Sequence, residues 1–341
     1  MSLFLQLPRE IRDNIAKWVS LLPSIPPPDP ASLTVDDRLH LQDLSMRWGG
    51  VLDRIRVPRQ QTPHSLLPLM LVNRQLYSEV KELMQLLAQT SDVPDYTLDV
   101  VYLKNCTLWP TWLSLPRPSP VLGTLYIQFR IFELPEQLRG MGWSYEDKLG
   151  SVYTPGNYLP SPIACLFHGL FAQTLERGPL FTGDGSGKGL MARRMVLDFL
   201  PTEGDLRPLG EYARSRNSRR KKKDFFAMED GWRPRSAGLA APDMLLHYVG
   251  GLLRFLLECV YLRHPYGRVL YARVGEVELR LGGEVVENLE IPDMFSQIPF
   301  PDMLGSDYGE GVGTELLSWK ETVAVKRQEA GFPDVAPYEE H

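Results

Sequence analysis

Residues Leu66 to Leu87 read LLPLMLVNRQLYSEVKELMQLL. Leu69, Val72, Leu76, Val80, Leu83 and Leu87 recur at steps of three and four, while Asn73, Arg74, Gln75, Ser78, Glu79, Lys81, Glu82 and Gln85 fill the opposite side. That is the pattern of an amphipathic helix. Pro68 falls early enough to sit in a first turn, where its missing N–H is not needed. The spacing predicts one helix across the whole stretch, at the centre of an N-terminal helical unit.

Upstream, Leu7 to Leu22 carries Ile11, Ile15, Trp18, Val19 and Leu22 on one apolar stripe, with Pro8 at its start and Glu10 near the positive end of the helix dipole. A helix is expected there. The run PSIPPPDP at residues 23–30 favours extended polyproline geometry and reads as a spacer. Thr34, with Asp37 three residues on, resembles a capping box opening a further helix from Val35 to about Trp48, closed by Gly49 and Gly50. Residues 1–90 are therefore expected to form helix, spacer, helix, turn and helix.

Downstream, residues 91–341 change character. Tyr96 to Leu103 and Thr124 to Phe132 are rich in aromatic and branched residues and read as strands, separated by the Trp- and Pro-containing stretch WPTWLSLPRPSP. Thr124 to Phe132 is apolar on both parities, which predicts cover on both faces. A long loop over 135–160 precedes a helix from Pro162 to about Arg177. Met191 to Leu200 reads as a strand, and Pro242 to Arg263 as a helix. Arg268 to Leu281 is expected to be a strand pair or one bent strand broken at Gly275 and Glu276. Gly282 and Gly283 then turn the chain into a strand over 284–291, and a last helix spans Thr314 to Gln328. The expected fold is α+β with an α/β-like layer: an N-terminal helical unit packed on a mixed or mostly parallel sheet with helices.

A chain of 341 residues with 43% hydrophobic composition can bury a large core, and a net charge of -5 supplies no global attraction to nucleic acid or acidic membrane. Cys106, Cys165 and Cys259 are far apart and never form a CxxC pair, which suits buried thiols in a reducing compartment better than disulfides. The N-terminus lacks the pattern of a secretory signal. The longest apolar segment, Met244 to Leu262, contains His247, Arg254 and Glu258 and reads as a core helix. An intracellular protein of the nucleus or cytoplasm, making no membrane contact, is expected.

Catalytic and cofactor motifs find no support. The glycine-rich run from Gly183 to Gly189 lacks the Walker spacing and precedes a strand rather than a helix. Cys165 and His168 lie three apart but have no second ligand pair to complete a zinc site, and His247, Cys259 and His264 form no better set. No cofactor or metal is expected, and an enzyme of unrecognised type is the weakest of three readings. Trp109 and Trp112 beside prolines read as buried loop anchors. The run RSRNSRRKKK at 214–223, with Arg219, Arg220, Lys221, Lys222 and Lys223, reads either as a solvated basic loop or as a nuclear-localisation patch.

LPREIRDNI at the start, followed by LMLVNRQLYSEVKE, resembles the F-box-like domain of proteins from filamentous ascomycete fungi. The matching positions are Leu7, Pro8, Glu10, Ile11, Ile15, Leu69, Val72, Asn73, Arg74 and Tyr77. The resemblance implies a protein-interaction module, a substrate receptor of an SCF-type ubiquitin ligase. Its helices would bind the Skp-type adaptor of a cullin ligase, and its C-terminal domain an unidentified protein substrate. Leu7, Pro8, Ile11, Leu69 and Val72 are the partner-binding candidates. The alternative is a scaffold that keeps the helical unit as structure and binds no adaptor, with Leu7 and Ile11 buried; Ile15, Leu76, Val80 and Leu83 are assigned to the core in either case.

Overall fold

The computed structural model of the chain describes residues 3–21, 24–26, 37–41, 54–59, 66–89, 93–103, 107–117, 119–132, 162–180, 189–201, 242–258, 267–296 and 310–332. Its centre is a six-stranded sheet of β3 (Tyr96–Leu103), β4 (Thr107–Ser114), β5 (Val121–Phe132), β6 (Met191–Leu200), β7 (Val274–Leu281) and β8 (Glu284–Glu290), in the order β4-β3-β5-β6-β7-β8. Strands β3, β5, β6 and β7 run parallel, and β4 and β8 add antiparallel edges, so the sheet is mixed.

The two-residue period of a strand sorts the side chains. Leu98, Val100 and Tyr102 of β3, Leu125, Ile127 and Phe129 of β5, and Met195, Leu197 and Phe199 of β6 enter the main core. Helices α4 (Pro162–Arg177) and α5 (Pro242–Glu258) supply Leu166, Phe167, Leu170 and Phe171, and Leu245, Val249, Leu252 and Leu253, to the same core. Phe129 stacks on Phe199 with centroids 4.9 Å apart, and each side chain buried this fully contributes about 1.5–3 kcal/mol. The other parity of β5, from Thr124 through Tyr126, Gln128 and Arg130, is only half-buried. The expectation of cover on both faces is thereby corrected: Tyr126, Gln128 and Arg130 are amphipathic, and they form a polar face.

Several expected elements are redrawn. The WPTW stretch is strand β4, paired antiparallel with β3, and its place at the edge of the sheet is where a proline such as Pro110 is tolerated. Arg268–Arg273 is a short helix, α6, not a strand: Val269, Leu270 and Tyr271 are all buried, so tertiary packing overrides their β-propensity. Strand β7 starts at Val274 and runs straight through Gly275. An added Cβ on Gly275 would lie 2.3 Å from the Arg193 carbonyl oxygen, so this glycine marks a close approach of β6 and not a break. Gly282 and Gly283, with φ of 59° and 87°, make the expected two-residue turn into β8. Helix α7 (Ile291–Ser296) follows, and α8 (Glu310–Glu329) is longer than expected. Residues 133–161 and 259–266 lie outside the described residues, and with them the expected loop and the end of the Pro242 helix.

At the N-terminus, α1 (Arg9–Leu21) forms as expected, but the central helix is two: α2 (Leu67–Val72) and α3 (Arg74–Gln89). Asn73 between them is extended, with φ −163° and ψ 169°, and its Oδ1 accepts from the Leu76 N–H at 2.8 Å. Asn73 thus caps α3, as asparagine favours. The helix expected over 35–48 is contradicted where it is described. Arg38–His40 is strand β1, paired with β2 (Arg56–Pro58), and the remainder lies outside the described residues. Arg38 explains the choice: its guanidinium donates to the Arg56 and Pro110 carbonyls and to Thr111 Oγ1, and lies 5.2 Å above the Trp109 ring. Leu41, Ile55 and Val57 consequently join the main core. Among the described residues, no helix is long and apolar enough to cross a membrane.

Candidate functional site

Helix α1 has two faces that do different things. Arg12, Ala16 and Ser20, at steps of four, are buried, and Ala16 packs with Leu66 and Val80 in a small core to which half-buried Val19, Leu69, Met70, Leu83 and Met84 add. About 130° round the helix, Ile11, Ile15 and Trp18 remain 45, 36 and 70% exposed, and Leu7, in the turn that leads into α1, is 37% exposed. Ile11, Ile15 and Trp18 stand at i, i+4 and i+7, so they share one stripe running along a helix about 20 Å long. Contiguous exposed apolar side chains of this size are a feature of interaction surfaces.

The stripe is held outward by what α1 does on its other side. The Arg12 Nε donates to Glu79 Oε2 at 2.9 Å and its Nη2 to Oε1, a bidentate clasp with both side chains largely shielded from water. The Arg12 hydrogen bond holds the Glu79 carboxyl below the usual glutamate range. Arg12 Nη1 also donates to the Leu7 carbonyl, folding the turn that carries Leu7 and Pro8 onto the helix start. Arg9 pairs with Glu82 at the surface, where such a contact contributes little.

Leu7, Pro8 and Ile11 face solvent, as the outward reading requires, and Val72 is exposed beside Leu71. Leu69 is corrected: it is half-buried against the α1–α3 core and is not displayed. Ile15 is corrected in the opposite sense, from core to exposed stripe. Leu76 and Val80 are buried and Leu83 packs beside them, as expected. Sequence reasoning missed Trp18 as a surface residue because all the α1 apolar positions look like one stripe; the available signal was Ala16, a small residue marking where a second helix approaches. Arg219, Arg220, Lys221, Lys222 and Lys223 lie outside the described residues, as do Cys106, Cys259, His264 and residues 181–188 of the glycine-rich run. His168 is buried, and Trp109 is buried within β4 rather than in a loop.

A second cluster lies on the polar face of the sheet. Register aligns Asp99 of β3, Gln128 of β5, Asp198 of β6 and Arg280 of β7 in one row. Asp99 is fully buried; it accepts from Arg130 Nε and Nη2, each at 2.6 Å, and from Gln128 Nε2 at 2.9 Å. Asp198 accepts from the Tyr126 hydroxyl and from the Gly283 N–H at 3.0 Å. Burial, then the hydrogen bond to Asp198, raise the Tyr126 phenol above its usual range. With both carboxylates engaged by donors and the phenol held protonated, the row cross-links strands and offers no ready base or nucleophile. Arg38, at the near end, is pushed down to about 10 by burial, against the pull of Asp99.

Compared with known protein families, curated proteins and solved structures, the chain matches none.

Proposed function

We propose that the chain is an F-box-like protein-interaction module, a substrate receptor that docks the Skp-type adaptor of a cullin ubiquitin ligase through α1. One observation carries this reading: α1 packs on α3 through Arg12, Ala16 and Ser20 while Leu7, Ile11, Ile15 and Trp18 stay in contact with water. A helix kept as structure alone has no use for that second face, and a scaffold without adaptor binding would bury Leu7 and Ile11. Leu7, Ile11, Ile15 and Trp18 are already partly buried, so the area they have left to bury is worth about 3–6 kcal/mol, near the lower estimates for the cost of association, and an adaptor would have to add contacts of its own. The sheet domain is the part assigned to an unidentified protein substrate, and the basic run at 219–223 to nuclear entry.

The test is co-purification of a Skp-type adaptor with the full chain and with Ile11→Asp. The variant is expected to keep its thermal unfolding temperature and to lose the adaptor. Equal recovery of adaptor by both chains defeats the proposal. A reporter fused to residues 214–223 and left evenly distributed in the cell removes the nuclear assignment.

A further inference from the structure

Among the described residues, three arginines use the same edge of the guanidinium. Arg12 grips Glu79, Arg130 grips Asp99 and Arg254 grips Glu287, each with Nε and Nη2 donating to the two oxygens of one carboxylate. That edge is a fork matched to paired oxygens. Arg327, near the C-terminal end of α8, breaks the pattern. It is 1% exposed, more deeply buried than the other three. Its Nη1 donates to the Tyr271 and Val274 carbonyls at 2.7 Å, tying α8 to the end of α6 and the start of β7. Its Nε and Nη2 are buried and have no acceptor among the described residues. Burial pushes this guanidinium down to about 10, and no acidic group among the described residues offsets it. A buried charge in this position is costly unless something negative meets it.

The C-terminal end of α8 closes over this group. Helix α8 ends in a Schellman turn: Phe332 N–H bonds to the Arg327 carbonyl at 3.0 Å, Gly331 N–H to the Gln328 carbonyl at 2.9 Å, and Gly331 takes φ +70°. The Phe332 ring lies 4.8 Å from the Arg327 guanidinium carbon, packing against the cation without using its N–H groups. On the outer side, Arg193 Nη2 is 3.2 Å from where a Gly331 Cβ would stand, and both Arg193 and Gly331 are exposed. A second guanidinium therefore stands at the surface beside the residue that ends the helix, and the absence of a side chain on Gly331 leaves it room.

We propose that the Nε and Nη2 fork of Arg327, together with Arg193 beside Gly331, binds a small oxyanion of the phosphate class. Two oxygens meet the fork, a third meets Arg193, and the anion fastens the end of α8 to the sheet. This site is independent of the α1 stripe and stands whether or not an adaptor binds there.

The experiment follows thermal unfolding of the full chain in inorganic phosphate and in chloride at matched ionic strength. In wild type, about 20 mM phosphate is expected to raise Tm by about 2 °C over chloride. Arg327→Lys keeps a positive charge but has no fork, and is expected to lose that rise. Arg193→Gln, a surface change that leaves the buried contacts intact, is expected to weaken phosphate binding about fivefold, read from line broadening of the phosphorus resonance. Absence of a phosphate-specific rise in wild type overturns the proposal, as does an equal rise in Arg327→Lys. Should Arg327→Lys not fold, the phosphorus measurement decides: equal broadening by wild type and Arg193→Gln overturns it.

Discussion

Arg12 and Glu79 meet through two parallel hydrogen bonds across 67 residues of chain, and this clasp sets which face of α1 is turned to water. Both side chains are shielded, so removing one charge strands the other. Glu79→Gln is expected to loosen α1 locally, seen as faster hydrogen exchange of the α1 amides with little change in the sheet. An Arg12→Met, Glu79→Leu double variant is expected to recover most of that protection, because it leaves no unpaired charge.

The same clasp makes α1 docking depend on pH. Glu79 is held below its ordinary range by Arg12, so folding binds fewer protons at this site than the unfolded chain does. Its stabilising contribution is full above the ordinary glutamate value of about 4.3 and is lost as pH falls through the lower folded value. Protection of α1 amides in wild type should therefore decline on acidification in that window, and the decline should be smaller in Glu79→Gln. Identical profiles for the two chains would show that Glu79 does not control docking.

Trp18 is the largest side chain on the exposed stripe, and interface energy concentrates in such anchors. Under the proposed adaptor docking, Trp18→Ala is expected to leave stability within about 0.5 kcal/mol while weakening that binding by about 2 kcal/mol, roughly 30-fold. Titration calorimetry against purified adaptor measures it. Unchanged affinity removes Trp18 from the proposed interface; a large drop in stability instead places Trp18 in the core.

What the sequence disclosed follows from how local each determinant is. The β3, β5 and β6 strands and the α1, α4 and α5 helices carry their own periodicity and were legible. Strand β4 was not, because its two tryptophans and Pro110 mimic a loop until β3 is seen beside it. The α2–α3 break was present in one residue, Asn73, whose capping bond competes with continuation of the helix. Arg38 could not be read at all, since its partners Pro110 and Thr111 lie 72 and 73 residues away. For the candidate site, Leu7 and Ile11 were legible from their place at the helix start, whereas Ile15 and Trp18 depend on the angle at which α3 arrives.

Asp99 and Arg130 form the most deeply buried charge pair of the polar row, with Asp99 wholly sealed. Asp99→Leu leaves the guanidinium of Arg130 facing an apolar side chain and is expected to destabilise the chain by about 3 kcal/mol. Adding Arg130→Met is expected to restore at least half of the loss, measured by denaturant unfolding. No recovery in the double variant would mean that Asp99 acts chiefly through Gln128 and the strand packing.

Two glycines separate steric from conformational cost. A Cβ on Gly275 would sit 2.3 Å from the Arg193 carbonyl oxygen, and backbone at the start of the β6–β7 ladder, held by the Ala192–Val274 and Arg194–Glu276 pairs on either side, cannot step aside without disturbing them. A Cβ on Gly283 would meet nothing within 4 Å, but φ there is +87°, a conformation L-residues rarely adopt. Gly275→Ala is therefore expected to cost about 2–3 kcal/mol, and Gly283→Ala only about 1 kcal/mol, from left-handed strain alone. Denaturant midpoints of the two variants, at equal m-value, give the comparison. If Gly283→Ala were the more damaging, the turn and not the β6–β7 approach would set the position of β7 in the sheet, and the row from Asp99 to Arg280 would depend on that hairpin.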